Sequence, residues 1–249
     1  MAGWRPGAEA GRDCAIEQKS PVTSSIRKRK IAMHRLYYSP GACSLAVHIV
    51  LEEIGEPYEA EARSAKNGEG TTTADYLALN PKGRVPALTG VAGGAEGAPG
   101  LLTEAVAILL FLARSYPEAK LMPVDPAGEA RCLEWLSWIS IDLHGIGYGQ
   151  LWRPHRFVSD PALHEAVKAK GAENIRSACD HIEHILSDGR DWAVPGQYTV
   201  VDSYLLVFWL WGRRIGLESD ASWPNWARLM NKVLDRRAVK QALSQEGLA

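Results

Sequence analysis

From residue 35 onward the apolar positions change period in an order that alternates extended and helical segments. Arg35-Leu36-Tyr37-Tyr38 is short and aromatic and stops at the turn residues Ser39-Pro40-Gly41, which predicts a strand. Ser44 to Ile54 carries Leu45, Val47, Ile49, Val50, Leu51 and Ile54 ahead of Gly55, the pattern of an amphipathic helix closed by a left-handed residue. Tyr58 to Arg63 predicts a second, weak strand, 64–72 a polar loop, and Thr73 to Leu79 a short helix that halts before Asn80-Pro81. Arg84 to Thr89 then predicts a strand, Gly90 to Gly100 a Gly/Ala-rich loop, Leu101-Leu102 a brief strand and Thr103 to Ser115 a helix. The order is β-α-β-α-β-β-α.

Beyond Tyr116 a linker punctuated by Pro117, Pro123 and Pro126 ends this pattern, and everything after it has helical periodicity. Helices are predicted over 127–149, 161–187, 200–215 and 224–243, the last broken near Arg236. The architecture that follows is an α/β domain over 34–116 and an all-helical domain over 126–249. The longest apolar runs, Ala105–Ala113 and Tyr204–Trp211, fall far short of the roughly 20 residues a spanning helix needs, so both read as buried helices and no membrane partner is expected. Residues 1–33 combine Gly, Pro, Ser and charge without a periodic apolar pattern or a signal-type apolar core, and read as a disordered N-terminal extension. Its run Arg27-Lys28-Arg29-Lys30 reads as solvated charge.

Composition sharpens the picture. At 46% hydrophobic and 23% charged residues, the chain is not disordered as a whole. Its net charge of -1 argues against a nucleic-acid or anionic-membrane binder working through bulk charge. That total averages a basic extension (seven Lys/Arg against three Asp/Glu in 1–33) with an acidic body (21 against 26). The four cysteines form no CxxC pair, which points to a reducing, cytoplasmic setting.

Cys43 falls at the start of the first predicted helix, where free N–H groups and the helix dipole favour a thiolate; the alternative is a small buried apolar residue. Asn80-Pro81-Lys82-Gly83-Arg84-Val85-Pro86 leads into a strand whose second proline cannot donate to a ladder. A cis bond before Pro86 would present the Val85 backbone to an extended peptide ligand; the alternative is an ordinary turn. At Thr103-Glu104-Ala105 a helix N-terminus can hold an anion while Glu104 meets an ammonium, so both ends of an α-amino acid fit there. Ser137, Ser140 and His144 recur at helical spacing as a polar stripe. His181 and His184 lack a third ligand in sequence, and no metal is expected. Thr199 to Asp202 resembles an N-capping box with a stabilising role, and Tyr148, Trp152 and Phe157 can wall an apolar pocket.

Together these motifs resemble a cytosolic glutathione transferase, most like the bacterial beta class, over about residues 34–249. The resemblance rests on Tyr38 to Ser44, Asn80 to Pro86, Thr103-Glu104, His144 and Thr199 to Asp202, all in family order. It implies a thioredoxin-like domain followed by a helical bundle, usually as a homodimer, with glutathione and a hydrophobic electrophile as partners. It further implies that Val85, before a cis Pro86, bonds the cysteinyl part of glutathione, and that Glu104 and the Ala105 N–H hold the γ-glutamyl end. Cys43 and His144 would stand near the glutathione sulfur, Tyr38 at the adjacent strand end, and Lys66 at the approximate position of a glutathione-contacting lysine. Ala105 replaces a common Ser or Gly, and Gly145 a frequent Lys. Three functions follow: conjugation of glutathione to electrophiles, glutathione-dependent disulfide exchange or reductive cleavage through Cys43, and non-catalytic ligand carriage on the same fold.

Overall fold

The computed structural model describes residues 33–91, 100–217 and 219–249, and groups Ile31–Ala249 into one compact unit. The expectations for the extension up to residue 32, and for 92–99 of the Gly/Ala-rich loop, lie outside the described residues.

Strand β1 (His34–Tyr38), helix α1 (Leu45–Ile54), β2 (Tyr58–Ala62), α2 (Ala74–Leu79), β3 (Ala87–Val91), β4 (Gly100–Thr103) and α3 (Ala105–Ser115) follow in the order expected. The sheet runs β2-β1-β3-β4, with β1 and β2 parallel and the other two pairings antiparallel. Gly55 closes α1 at φ +74°, a conformation that costs a side chain energy and glycine none. β3 starts at Ala87 instead of Arg84, since the Val85–Pro86 bond is cis and the Arg84 carbonyl accepts from Tyr76 Oη and Asn80 Nδ2, both at 2.8 Å. α3 starts at Ala105 because Thr103 pairs with Ala87 in the sheet and Glu104 turns the corner at φ +73°.

The second half is helical: α4 (Pro126–Trp138), α5 (Gly149–Trp152), α6 (His164–Leu186), α7 (Val200–Arg214), α8 (Ser219–Ser222), α9 (Pro224–Leu234) and α10 (Arg237–Gln245). The break predicted near Arg236 separates α9 from α10. Between α4 and α5 the chain stays helical as a wider π segment, Ile139–Tyr148, with i→i+5 bonding in place of the regular ladder. Gly171 of α6 lets that helix close on this region, since a Cβ there would lie 2.7 Å from the Leu151 nitrogen.

α1 buries Leu45 through Leu51, and α7 buries Val200 through Trp209, in one core that joins the sheet's helices to the bundle. Each fully buried Val, Leu or Ile contributes roughly 1.5–3 kcal/mol relative to exposure. The capping box heads α7: Thr199 Oγ1 accepts from Val201 N at 3.3 Å, and Asp202 accepts from Thr199 N at 2.7 Å and from Ala193 N at 2.9 Å. Burial pushes the Asp202 carboxyl up to about 6 against the pull of these donors. Among the described residues no helix is long and apolar enough to cross a membrane.

Candidate functional site

A cleft of about 80 Å³ opens where the loops of the α/β half meet the π segment and α7. Cys43, Val85 and Pro86 line it from one side, Glu104 and Ala105 from the sheet's far corner, and Ser140, His144 and Tyr204 from the bundle. Six of the residues singled out from sequence therefore come together. Two do not. Tyr38 lines a separate polar cavity of about 230 Å³ with His48, Glu52 and Tyr58, on the other side of its strand end. That cavity is the larger of the two, while Cys43 and His144 line the smaller cleft. Lys66 is exposed in the short 66–68 turn and does not line the cleft.

The Cys43 loop is gripped from the bundle. Gly41 N donates to Glu246 Oε2 at 2.8 Å, and the Gly41 carbonyl accepts from Trp211 Nε1 at 2.7 Å. Glu246 also takes His48 Nδ1 at 2.8 Å, in a pair almost fully removed from solvent. Cys43 Sγ donates to the Val85 carbonyl at 3.5 Å. Of the two readings open for this residue, a thiolate at a helix start and a small buried cysteine, enclosure favours the second and pushes the thiol up to about 11. The Arg153 charge and the N–H groups of Cys43 and Ser44 pull the other way and lose.

His144 sits in the π segment, its ring 5.7 Å from Phe208 and 5.3 Å from Trp211. Burial lowers its pKa to about 4, aided by the charges of Arg153, Arg84 and Arg156 and opposed by Glu104. The imidazole is therefore neutral near pH 7, and its surroundings resist a second proton. Its Nδ1 lies 3.4 Å from Tyr204 Oη, a buried phenol whose pKa is raised by burial and by Cys43 beside it. Tyr204 escaped sequence reasoning because it lies inside the apolar run of α7; its one signal was being the only phenol between Val200 and Trp211. The polar stripe is shortened, since Ser140 and His144 line the cleft while Ser137 is exposed.

At the far corner, the first N–H groups of α3 have no side-chain cap. The Glu104 carboxylate accepts from Lys82 Nζ at 2.7 Å, and the same ammonium reaches Thr103 Oγ1 at 2.9 Å. An amino-acid end bringing its own ammonium would share or displace Lys82. Cys132 and Cys179 are free, buried and outside the cleft. Among the described residues no cluster of three or more His, Cys, Asp or Glu side chains is arranged to hold a metal.

Comparison with known proteins matches residues 41–115 to the glutathione S-transferase N-terminal domain and residues 155–236 to the glutathione S-transferase C-terminal domain. The chain is 33% identical over 220 residues to the glutathione S-transferase GstA of Escherichia coli O157:H7, covering 86% of this chain and 99% of that protein. A glutathione transferase homolog from Sulfitobacter, solved with bound glutathione, superimposes with a TM-score of 0.77 at 29% identity, covering 88% of this chain and all of that one. A bacterial beta class glutathione S-transferase from Sphingomonas chungbukensis superimposes at 0.73 with 30% identity, covering 86% of this chain and all of that one.

Proposed function

This chain belongs to the glutathione S-transferase family, and we propose that its cleft binds glutathione and conjugates it to an electrophile held by the helical half. The observation that carries the reading is the convergence of the Val85 backbone, the Glu104-Ala105 corner, Cys43 and His144 on one cleft. Glutathione is an extended peptide with an α-amino-acid end. Val85 meets its cysteinyl backbone, the free N–H groups of α3 take the γ-glutamyl carboxylate, and Glu104 takes the ammonium. Tyr38 and Lys66, which lie away from the cleft, leave the proposed set, and Lys82 and Tyr204 join it.

The chemistry is attack of the glutathione sulfur on an electrophilic carbon: a C–S bond forms, and the leaving group departs with its electron pair. The thiol proton leaves to solvent water, neutral His144 offers a hydrogen-bond acceptor beside Tyr204, and the Cys43 thiol donates a hydrogen bond to the resulting thiolate. Disulfide exchange through Cys43 is the second reading, favoured by its place in the cleft. Its high thiol pKa weighs against it, because the attacking species is the thiolate. A beta-class protein working as a homodimer in the reducing cytoplasm completes the proposal.

The test is conjugation of a model aryl halide by the purified chain. Rate saturable in glutathione supports the reading; no glutathione binding by calorimetry overturns it.

A further inference from the structure

Arg84 lines the cleft from the α/β half, while Arg153 precedes and Arg156 ends a short turn, Pro154–Arg156, directly after α5. All three charges act on His144, and those of Arg153 and Arg84 act on Arg156, so they share one neighbourhood. Among the described residues none of the three makes an ion pair or a side-chain hydrogen bond, whereas Arg63 and Arg236 are each paired with carboxylates. The nearby acid, Glu104, is engaged by Lys82. Like charges gathered at this range raise one another's energy, and an anion placed among them relieves it.

The neighbourhood of His144 is also aromatic. His144 and Trp152 both pack on Trp211, at 5.3 and 4.8 Å between ring centroids, so the wall beside the reactive centre continues to the residue preceding Arg153. Trp152 is 37% exposed and Phe157, just past the arginine turn, 46%. Large exposed rings interleaved with unpaired guanidinium groups match a ligand with a flat apolar body and a negative end.

We propose that the second substrate is an aryl carboxylate electrophile, its ring against Trp152 and Phe157 and its carboxylate on Arg153 and Arg156. The proposal rests on the glutathione reading above. It assigns to the bundle's arginines the space that glutathione leaves free, since both glutathione-contacting corners belong to the α/β half. Arg84 lies next to Val85 and is open to the glycine carboxylate of glutathione itself; Arg153 and Arg156 are the discriminating pair.

The experiment compares S-benzylglutathione with S-(para-carboxybenzyl)glutathione by isothermal titration calorimetry, on the wild-type chain and on R153Q/R156Q, at about 50 mM and about 500 mM salt. Wild type is expected to bind the carboxylated conjugate roughly tenfold tighter at low salt, with the ratio shrinking at high salt and falling towards one in the double variant. The single variant R156Q, altered at an exposed side chain, carries the same test at half strength should the double variant fold poorly. Equal affinities in wild type, or a ratio that survives in R156Q and R153Q/R156Q, overturn the proposal while leaving glutathione binding intact. Failure of glutathione and of both conjugates to bind overturns both readings together.

Discussion

Lys82 Nζ lies 2.7 Å from Glu104 Oε1, so the carboxylate at the β4–α3 corner of the cleft already has a cationic partner. Both side chains are more than half exposed, which makes the pair a weak stabiliser and a replaceable one.

For this reason E104Q is expected to raise the KM for glutathione by roughly tenfold or more, the loss of a charge-assisted bond, while K82A shifts unfolding by less than about 1 kcal/mol. Steady-state kinetics at varied glutathione, alongside urea denaturation, checks both. An unchanged KM in E104Q removes Glu104 from the binding site.

Glu246 is the opposite case, a buried carboxylate with two partners. E246A leaves the Gly41 N–H and the His48 ring without it and is expected to cost about 2–4 kcal/mol of stability. Because Gly41 lies two residues before Cys43, kcat should fall as well. E246Q retains an acceptor for Gly41 and should lose less of both. Equilibrium denaturation of the two variants reads the difference.

The buried His144 makes stability depend on pH. Its folded pKa, about 4, is below the ordinary 6.5 of the unfolded chain, so between these values the unfolded chain binds more protons. Stability from this group is complete above pH 6.5 and falls as the pH drops to 4, by up to about 3 kcal/mol. Asp202, raised to about 6, acts with the opposite sign: the folded chain binds the extra proton, and stability declines as pH rises from 3.8 to 6. The difference between wild type and H144N isolates the histidine. Denaturation midpoints measured from pH 4 to 7.5 should run parallel above 6.5 and converge or cross below it; parallel curves throughout would contradict a buried neutral imidazole.

Cys43 should behave as a thiol. With its pKa pushed up to about 11, alkylation by iodoacetamide near neutral pH is expected to be slow and to accelerate with pH up to that value. C43A is expected to fold and to keep measurable conjugation, reduced by the loss of one hydrogen-bond donor, roughly tenfold. Rapid modification at pH 7, followed by mass spectrometry, would instead support the disulfide-exchange reading.

Much of this molecule is legible in its chain, for reasons that act locally. Period-two and helical apolar spacing, Gly55 as a left-handed stop and the Thr199–Asp202 cap specify the elements to within a few residues, because backbone sterics and neighbouring hydrogen bonds set them. The motifs around Cys43, Val85-Pro86 and Glu104 were visible as turn and helix-start chemistry. What distance in sequence conceals is what burial and charge do to them. Cys43 reads either as a thiolate at a helix start or as a small buried apolar residue, and only the packing that encloses it decides for the thiol. His144 reads as one member of a regular stripe, and the π segment drops Ser137 from that stripe and brings the ring to Tyr204, 60 positions away. Tyr38 stands in the same short stretch as Cys43 and faces a different cavity. Local pattern determines which elements form and where they stop; desolvation and long-range charge, which exist only once the elements pack, decide which residues share a site and in what protonation state.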